Sequence, residues 1–297
     1  MSATGFARAG RRRKTGDIAR DTLLYLIILA FFLPAFWIIL TSVRLNIEIN
    51  ARPPVWIPTE LTLDSFKTLL GWPVPEGSFG MGTNIPFGDY ARNSMVIAVV
   101  STLFALTFGT LAGYVFARFR FKAKNTIFLS LMLARAVPGI ALSLPILVLF
   151  GRVGLSDTVP GMILTYVALN VPFTAWLMDG FFRAIPSELD EAALIDGCSR
   201  WTAFLRVDLP LSLPGAAASG IFAFLTAWNE FALANTITRT PASRTFPPAL
   251  FELTGEHVSD WRGMCAMSVM MLIPAIIFVA LVQRQLMAGL TSGAMKE

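Results

Sequence analysis

From Thr22 to Val43 the chain carries no charged residue. A helix crossing the roughly 30 Å hydrocarbon core of a bilayer needs about 20 apolar residues, so this run predicts a spanning helix. It is long for the hydrophobic region of a secretory signal, and no small-residue cleavage site follows it. Five more runs are uncharged or nearly so. They are Ser94–Ala117, Asn125–Gly151 with Arg135 inside it, Thr158–Met178, Leu211–Asn235 with Glu230 inside it, and Gly263–Gln283. Only 14% of the chain is charged and 55% is hydrophobic, whereas soluble domains carry roughly 25% charged residues. The expected fold is an all-α polytopic membrane protein with six transmembrane helices.

The runs divide the chain into a basic arm (1–21), a first span (22–43), a polar loop rich in Pro and Gly (44–93), a core of five spans (94–283) and a tail (284–297). Positive residues concentrate on the cytoplasmic side of membrane proteins. With both termini inside, the cytoplasmic segments 1–21, 118–124, 179–210 and 284–297 hold 15 of the 24 Lys and Arg residues, and the outside loops hold eight. The tract Arg118–Lys124, basic and without an acid, weighs most. Pro34 predicts a kink in the first span. Asn93 and Ser94 are of the type that caps a helix, here the second. Gly109 and Gly113 have the spacing that lets two helices approach closely.

The longest polar segment between two inside-facing span ends is Pro186–Pro214. It reads as two short helices joined by a turn. Ser187 is a fair N-cap, with Asp190 three residues on as a weak capping box. Glu188, Asp190 and Glu191 suit the positive end of a helix dipole. Gly197 is placed for a left-handed C-cap. A second amphipathic piece, Arg200–Val207, carries Trp201, Phe204 and Leu205 and should end at Leu209-Pro210.

Glu191-Ala192-Ala193, Asp196-Gly197 and then Val207, Leu209 and Pro210 resemble the EAA loop of bacterial ABC importer permeases, with Val207 where Ile is usual. The tail from Gln283 resembles the ending of the shorter, MalG-like permease of carbohydrate importers. Ala288 and Glu297 stand there where the pattern has Arg and Gly. The stretch Asp89–Ser94 resembles the family's lead into its core. The resemblance implies an inner-membrane subunit of a binding-protein-dependent transport system. Its partners would be a second permease subunit, two ATPase subunits and a periplasmic substrate-binding protein. The hairpin would seat in the ATPase: Glu191 would offer hydrogen bonds, Ala192 and Ala193 would permit close seating, Gly197 would set the angle, and Leu209 and Pro210 would fix the exit into the fifth span. ATP and Mg would belong to the partner ATPase, with no cofactor in this chain.

No catalytic site is expected. The chain has no P-loop and no G-x-S-x-G elbow, and His257 is its only histidine, so neither H-E-x-x-H nor a histidine-built metal site can form. Cys198 falls inside and Cys265 in a span, so they should not pair. Charged groups within a bilayer usually face the bundle interior or a cavity. Arg135, Asn170, Trp228, Asn229 and Glu230 are therefore candidates for a substrate pathway, with Trp228 stacking on a sugar ring. A purely structural role is as open for each. Trp56, Trp72 and Trp261 are candidate contacts for the binding protein or anchors at the membrane interface. An ion-driven transporter would call for internal repeats with matched broken helices, and none is evident. A membrane scaffold would use the hairpin for docking alone. Which sugar, polyol or charged derivative is carried stays open.

Overall fold

The computed structural model describes residues 15–74, 85–254 and 259–294, with side chains from 20 to 285. The basic arm up to 14, His257, most of the Gly71–Gly88 tract and the side chains of the tail motif lie outside the described residues.

Among the described residues there is no strand, only helices and two isolated bridges. Four helices are long and apolar enough to cross a membrane: α1 (Thr15–Ser42), α4 (Phe87–Arg118), α7 (Val159–Ala184) and α13 (Trp261–Ala294). Two short helices, α2 (Asn46–Ile49) and α3 (Asp64–Leu69), lie between α1 and α4. Two further spans are bent pairs. α5 (Lys124–Ala136) meets α6 (Gly139–Val153) at 96°, and α9 (Arg200–Leu211) meets α10 (Leu213–Asn229) at 74°. Six crossings result if each pair is one span.

The third run is therefore two helices rather than one. Val137-Pro138 breaks it, because a residue before proline leaves the helical region; Val137 has ψ 124°. The fifth run likewise stops at Asn229. Glu230 is extended, and α11 (Ala232–Ile237) starts afresh, followed by the short α12 (Phe246–Ala249). The chain is already helical from Thr15, inside the expected arm, and α4 begins at Phe87, ahead of the expected cap. Asn93 and Ser94 thus lie inside α4 and cap nothing. Both are buried. Asn93 Nδ2 donates to the carbonyls of Pro241 (2.9 Å) and Arg244 (3.1 Å), and Ser94 Oγ accepts from the N–H of Phe246 at 2.8 Å. Cap-type side chains have been used to hold a loop.

α4 packs along α7, with α10 and α13 completing the core. The closeness rests on Gly109 and Gly113. A Cβ on Gly109 would lie 2.5 Å from Thr174 Cβ, and one on Gly113 2.7 Å from Met178 Cβ. The spacing seen in the sequence is a real contact face. α1 lies apart, against α13, with none of its most apolar stretch buried inside the chain.

At the end of the bundle away from the hairpin, Asp157 organises the loop after α11. Its Oδ1 accepts from the N–H groups of Arg239 (2.7 Å) and Thr240 (3.1 Å) and from Ser243 Oγ (2.5 Å), while Oδ2 accepts from Thr240 Oγ1 (2.8 Å). Burial alone would raise this carboxyl, but the donors outweigh it and hold Asp157 down at about 2. A lowered folded-state value means the stabilisation is complete above the ordinary carboxylate range and is lost only as pH falls through about 2. Intrinsic-rate-corrected exchange at the Arg239 and Thr240 amides should therefore be flat from about pH 8 to 5. Asp157→Asn should speed it across that whole range, and a wild-type rise near neutrality would contradict the anchor.

Candidate functional site

The hairpin is built at the ends of α4 and α7. α8 (Ser187–Ile195) follows Pro186, which takes the cap position and makes no side-chain cap bond; Ser187 is the first helical residue and not the N-cap. Gly197 has φ +85°. The N–H of Cys198 reaches the Ala193 carbonyl at 3.0 Å and that of Gly197 the Leu194 carbonyl at 3.1 Å. This pair of bonds is the Schellman closure, which a residue with positive φ completes. Ser199 then caps α9, accepting from the N–H of Thr202 at 3.1 Å.

α9 does not stop at Leu209-Pro210. Proline has no N–H for the carbonyl four residues back, and the helix passes it by widening into a π turn over Phe204–Asp208. The bend comes at Ser212, just before α10 starts with Pro214 in its first turn, where proline is tolerated.

Arg118, the last residue of α4, clamps the hairpin. Its Nε lies 2.7 Å from Asp190 Oδ2, Nη2 donates to Asp208 Oδ1 at 2.9 Å, and Nη1 donates to the Ile185 carbonyl at 3.1 Å. Asp190 therefore serves Arg118 and not a capping box. Asp208 is fully buried, and burial, with the Asp190 carboxylate beside it favouring the protonated form, pushes it up to about 6 despite Arg118. Tyr114 of α4 packs on Phe204 of α9 (ring centroids 4.6 Å apart) and on Phe182 of α7 (5.5 Å), seating α9 on the two spans. Asp179 bonds Arg183 at 2.8 Å, and Arg183 reaches the Phe116 carbonyl at 3.1 Å. A hollow of about 200 Å³ lies among Arg118, Asp190, Glu191 and Arg200.

Of the sequence candidates here, Glu191, Ala192, Asp196, Gly197 and Pro210 are exposed, while Leu209 is half-buried. Ala193 is buried and faces the chain itself. The tip carries exposed apolar residues, of which only Trp201 stood out in the sequence. Ile195 is 86% exposed, and Leu194, Leu189 and Trp201 are exposed beside it.

Deeper in the bundle, the candidate pathway residues separate. Trp228 is buried, and its Nε1 donates to the Met271 carbonyl at 3.2 Å, so its ring packs on α13 and stacks on no sugar. Asn170 is buried too and reaches the Ala223 carbonyl at 3.4 Å, tying α7 to α10. Glu230 accepts from the N–H groups of Leu233 (2.9 Å) and Ala234 (3.0 Å) and from Tyr166 OH (3.0 Å). It opens α11 and fixes it to α7. Asn229 stays exposed at this break. The two breaks adjoin: α6 packs on α11, and a Cβ on Gly139 would lie 3.4 Å from Leu233 Cδ1. Arg135 is half-buried beside them, donating to the Leu169 carbonyl at 2.8 Å, with its guanidinium 4.9 Å from the Phe173 ring and 5.1 Å from that of Phe222.

Trp56 and Trp261 meet with Trp37, Arg44 and Glu48 around a cavity of about 420 Å³ at the far end, without Trp72. Glu48 and Arg44 form a buried pair there, 3.7 Å apart. Among the described residues no group of His, Cys, Asp and Glu is placed to hold a metal ion.

Residues 105–291 match the family described as binding-protein-dependent transport system inner membrane component. The diacetylchitobiose uptake system permease protein DasC of Streptomyces coelicolor is 30% identical, over 96% of this chain and 99% of that protein. The trehalose transport system permease protein SugB of Mycobacterium tuberculosis is 33% identical over 97% and 99%. A bacterial ABC transporter involved in the import of the acidic polysaccharide alginate shares the fold, with a TM-score of 0.72 and 19% identity over 95% of this chain and 99% of that one. With its helices, its clamped hairpin and this match, the chain belongs to the binding-protein-dependent transport system inner membrane component family, as a permease subunit and not an enzyme.

Proposed function

We propose that this chain forms half of the translocation pathway of an ATP-driven importer for a sugar or sugar derivative, and that its hairpin carries motion from an ATPase into the spans. The observation that carries the coupling reading is the Arg118 clamp. It fastens both hairpin helices to the end of α4, while Ile195 and its neighbours stand free for a partner. A push on the tip is then transmitted to α4 and, through the Gly109–Gly113 face, to α7. Exposed Glu191 supplies a charged acceptor beside the apolar tip.

In this reading the hairpin faces the cytoplasm. The partners are a second, different permease, two ATPase subunits holding ATP and Mg, and a periplasmic substrate-binding protein that meets the loops after α1 and α11. The sugar class is supported by relatives named for diacetylchitobiose, trehalose and sulfoquinovosyl glycerol. Arg135 and Asn229 are the pathway residues left open to a solute. The test is purification of the tagged chain in detergent, identification of what comes with it, and reconstitution into vesicles. Co-purification of an ATPase and a second permease, with sugar uptake that needs ATP and the binding protein, is expected. A stable homo-oligomer without an ATPase would overturn the proposal.

A further inference from the structure

We infer that Arg135 binds an oxyanion, a carboxylate or sulfonate, on the solute that this permease carries. The inference rests on the pathway reading above and adds the charge of the substrate. Three helix lengths place the guanidinium in depth. At 1.5 Å per residue, Arg135 lies about 17 Å along α5 from Lys124, Phe173 about 17 Å along α7 from Ala184, and Phe222 about 14 Å along α10 from Leu213. All three origins are at the hairpin end, so these estimates converge near the middle of a hydrocarbon core about 30 Å thick. A charge at that depth needs a partner or a wet cavity. Among the described residues no carboxylate pairs with Arg135; its one hydrogen bond goes to the Leu169 carbonyl. The remaining N–H groups are held in place by the stacked rings of Phe173 and Phe222, whose centroids are 4.0 Å apart.

The surroundings fit a site. A cavity of about 330 Å³ opens beside Arg135, lined among others by Ala134, Leu142, Thr165, Leu169 and Pro172. The break at Val137-Pro138 begins just after Arg135 and adjoins the break at Glu230. Irregular backbone at membrane depth is tolerated where it lines a cavity or is covered by protein, and discontinuous helices are where membrane transporters place their substrates. A planar guanidinium takes a carboxylate or sulfonate through paired hydrogen bonds. Trp176, exposed beside Phe173, offers an aromatic face suited to the apolar face of a sugar ring.

The same cation could take a carboxylate from the second permease, and the experiment separates the two sources. The whole complex is reconstituted and supplied with paired probes: glucuronate and galacturonate, free and in disaccharides, against glucose and galactose in the same forms. Wild type should accumulate an acidic member in preference to its neutral counterpart. Arg135→Gln should lower acidic uptake at least tenfold more than it lowers neutral uptake, with the complex still assembled, and Arg135→Lys should restore part of the difference. Uptake restricted to neutral sugars, or an equal loss of both classes, overturns the inference and leaves the transporter reading intact. So does failure of Arg135→Gln, but not Arg135→Lys, to co-purify with the second permease, because the oxyanion is then the partner's. Absence of ATP-dependent uptake of every acidic probe overturns the inference, whereas the transporter reading falls only if no ATPase assembles with the chain.

Discussion

Arg118→Met is expected to lower substrate-stimulated ATP hydrolysis by the assembled transporter more than tenfold while the chain still inserts in the membrane. The guanidinium is the only cation bonded to Asp190 and Asp208 among the described residues, and Asp208 is wholly buried. Removing one partner of a buried pair costs on the order of 3–5 kcal/mol, because the other charge is left uncompensated. The cost falls on the attachment of the hairpin to α4, the joint through which motion must pass. The spans are stabilised by their own packing and do not depend on it. Asp208 gives the loss a pH signature. Burial already holds its carboxyl at about 6, and losing Arg118 raises it further. A raised folded-state value means the buried charge destabilises increasingly as pH rises through it, and protonation relieves the strain below it. Coupling in the variant should therefore recover partly as pH is lowered from 8, with the recovery setting in above the wild-type value of about 6. Asp208→Asn added to Arg118→Met should recover part of it at every pH. Full coupling in the single variant at pH 8 would rule out the clamp as the transmitting joint.

The spans were legible in the sequence because lipid imposes a one-dimensional demand: a run of about 20 residues with few charges. Gly197 was legible for a similar reason, since a positive φ at a helix end is a local requirement that glycine meets. The helix breaks were not. Glu230 looked like an acid inside a span, and only Tyr166, 64 residues away, and the free N–H groups of α11 reveal it as the residue that ends one helix and opens another. Asn93 and Ser94 carried a correct chemical signal, short polar side chains that bond backbone groups. Their backbone partners, however, lie some 150 residues on. Arg118 was counted for its charge in fixing orientation, but its role depends on Asp208, 90 residues later. Trp228 reads alike whether it faces a solute or α13, and burial alone decided between them. Local rules located the spans. Pairings across the bundle decided what the polar residues do.

Gly197→Pro should abolish coupling as completely as Arg118→Met, by a different route. Proline fixes φ near −65°, and Gly197 stands at +85°. Proline also removes the N–H that bonds the Leu194 carbonyl. The closure of α8 cannot then form, and α8 and α9 leave the turn at the wrong angle. Steric crowding is no part of this, because a Cβ on Gly197 would meet nothing within 4 Å in this chain. That fact makes a graded series informative. Gly197→Ala keeps the N–H and pays only the left-handed strain, about 1 kcal/mol; Gly197→Asn pays less, since asparagine tolerates that conformation. If the turn acts through backbone geometry, ATP hydrolysis coupled to substrate should rank Gly, Asn, Ala and last, by a wide margin, Pro. If Ala and Asn were as damaging as Pro, backbone strain could not account for it. The lost space would then have to be space against the ATPase, which would make Gly197 a contact residue instead of a hinge.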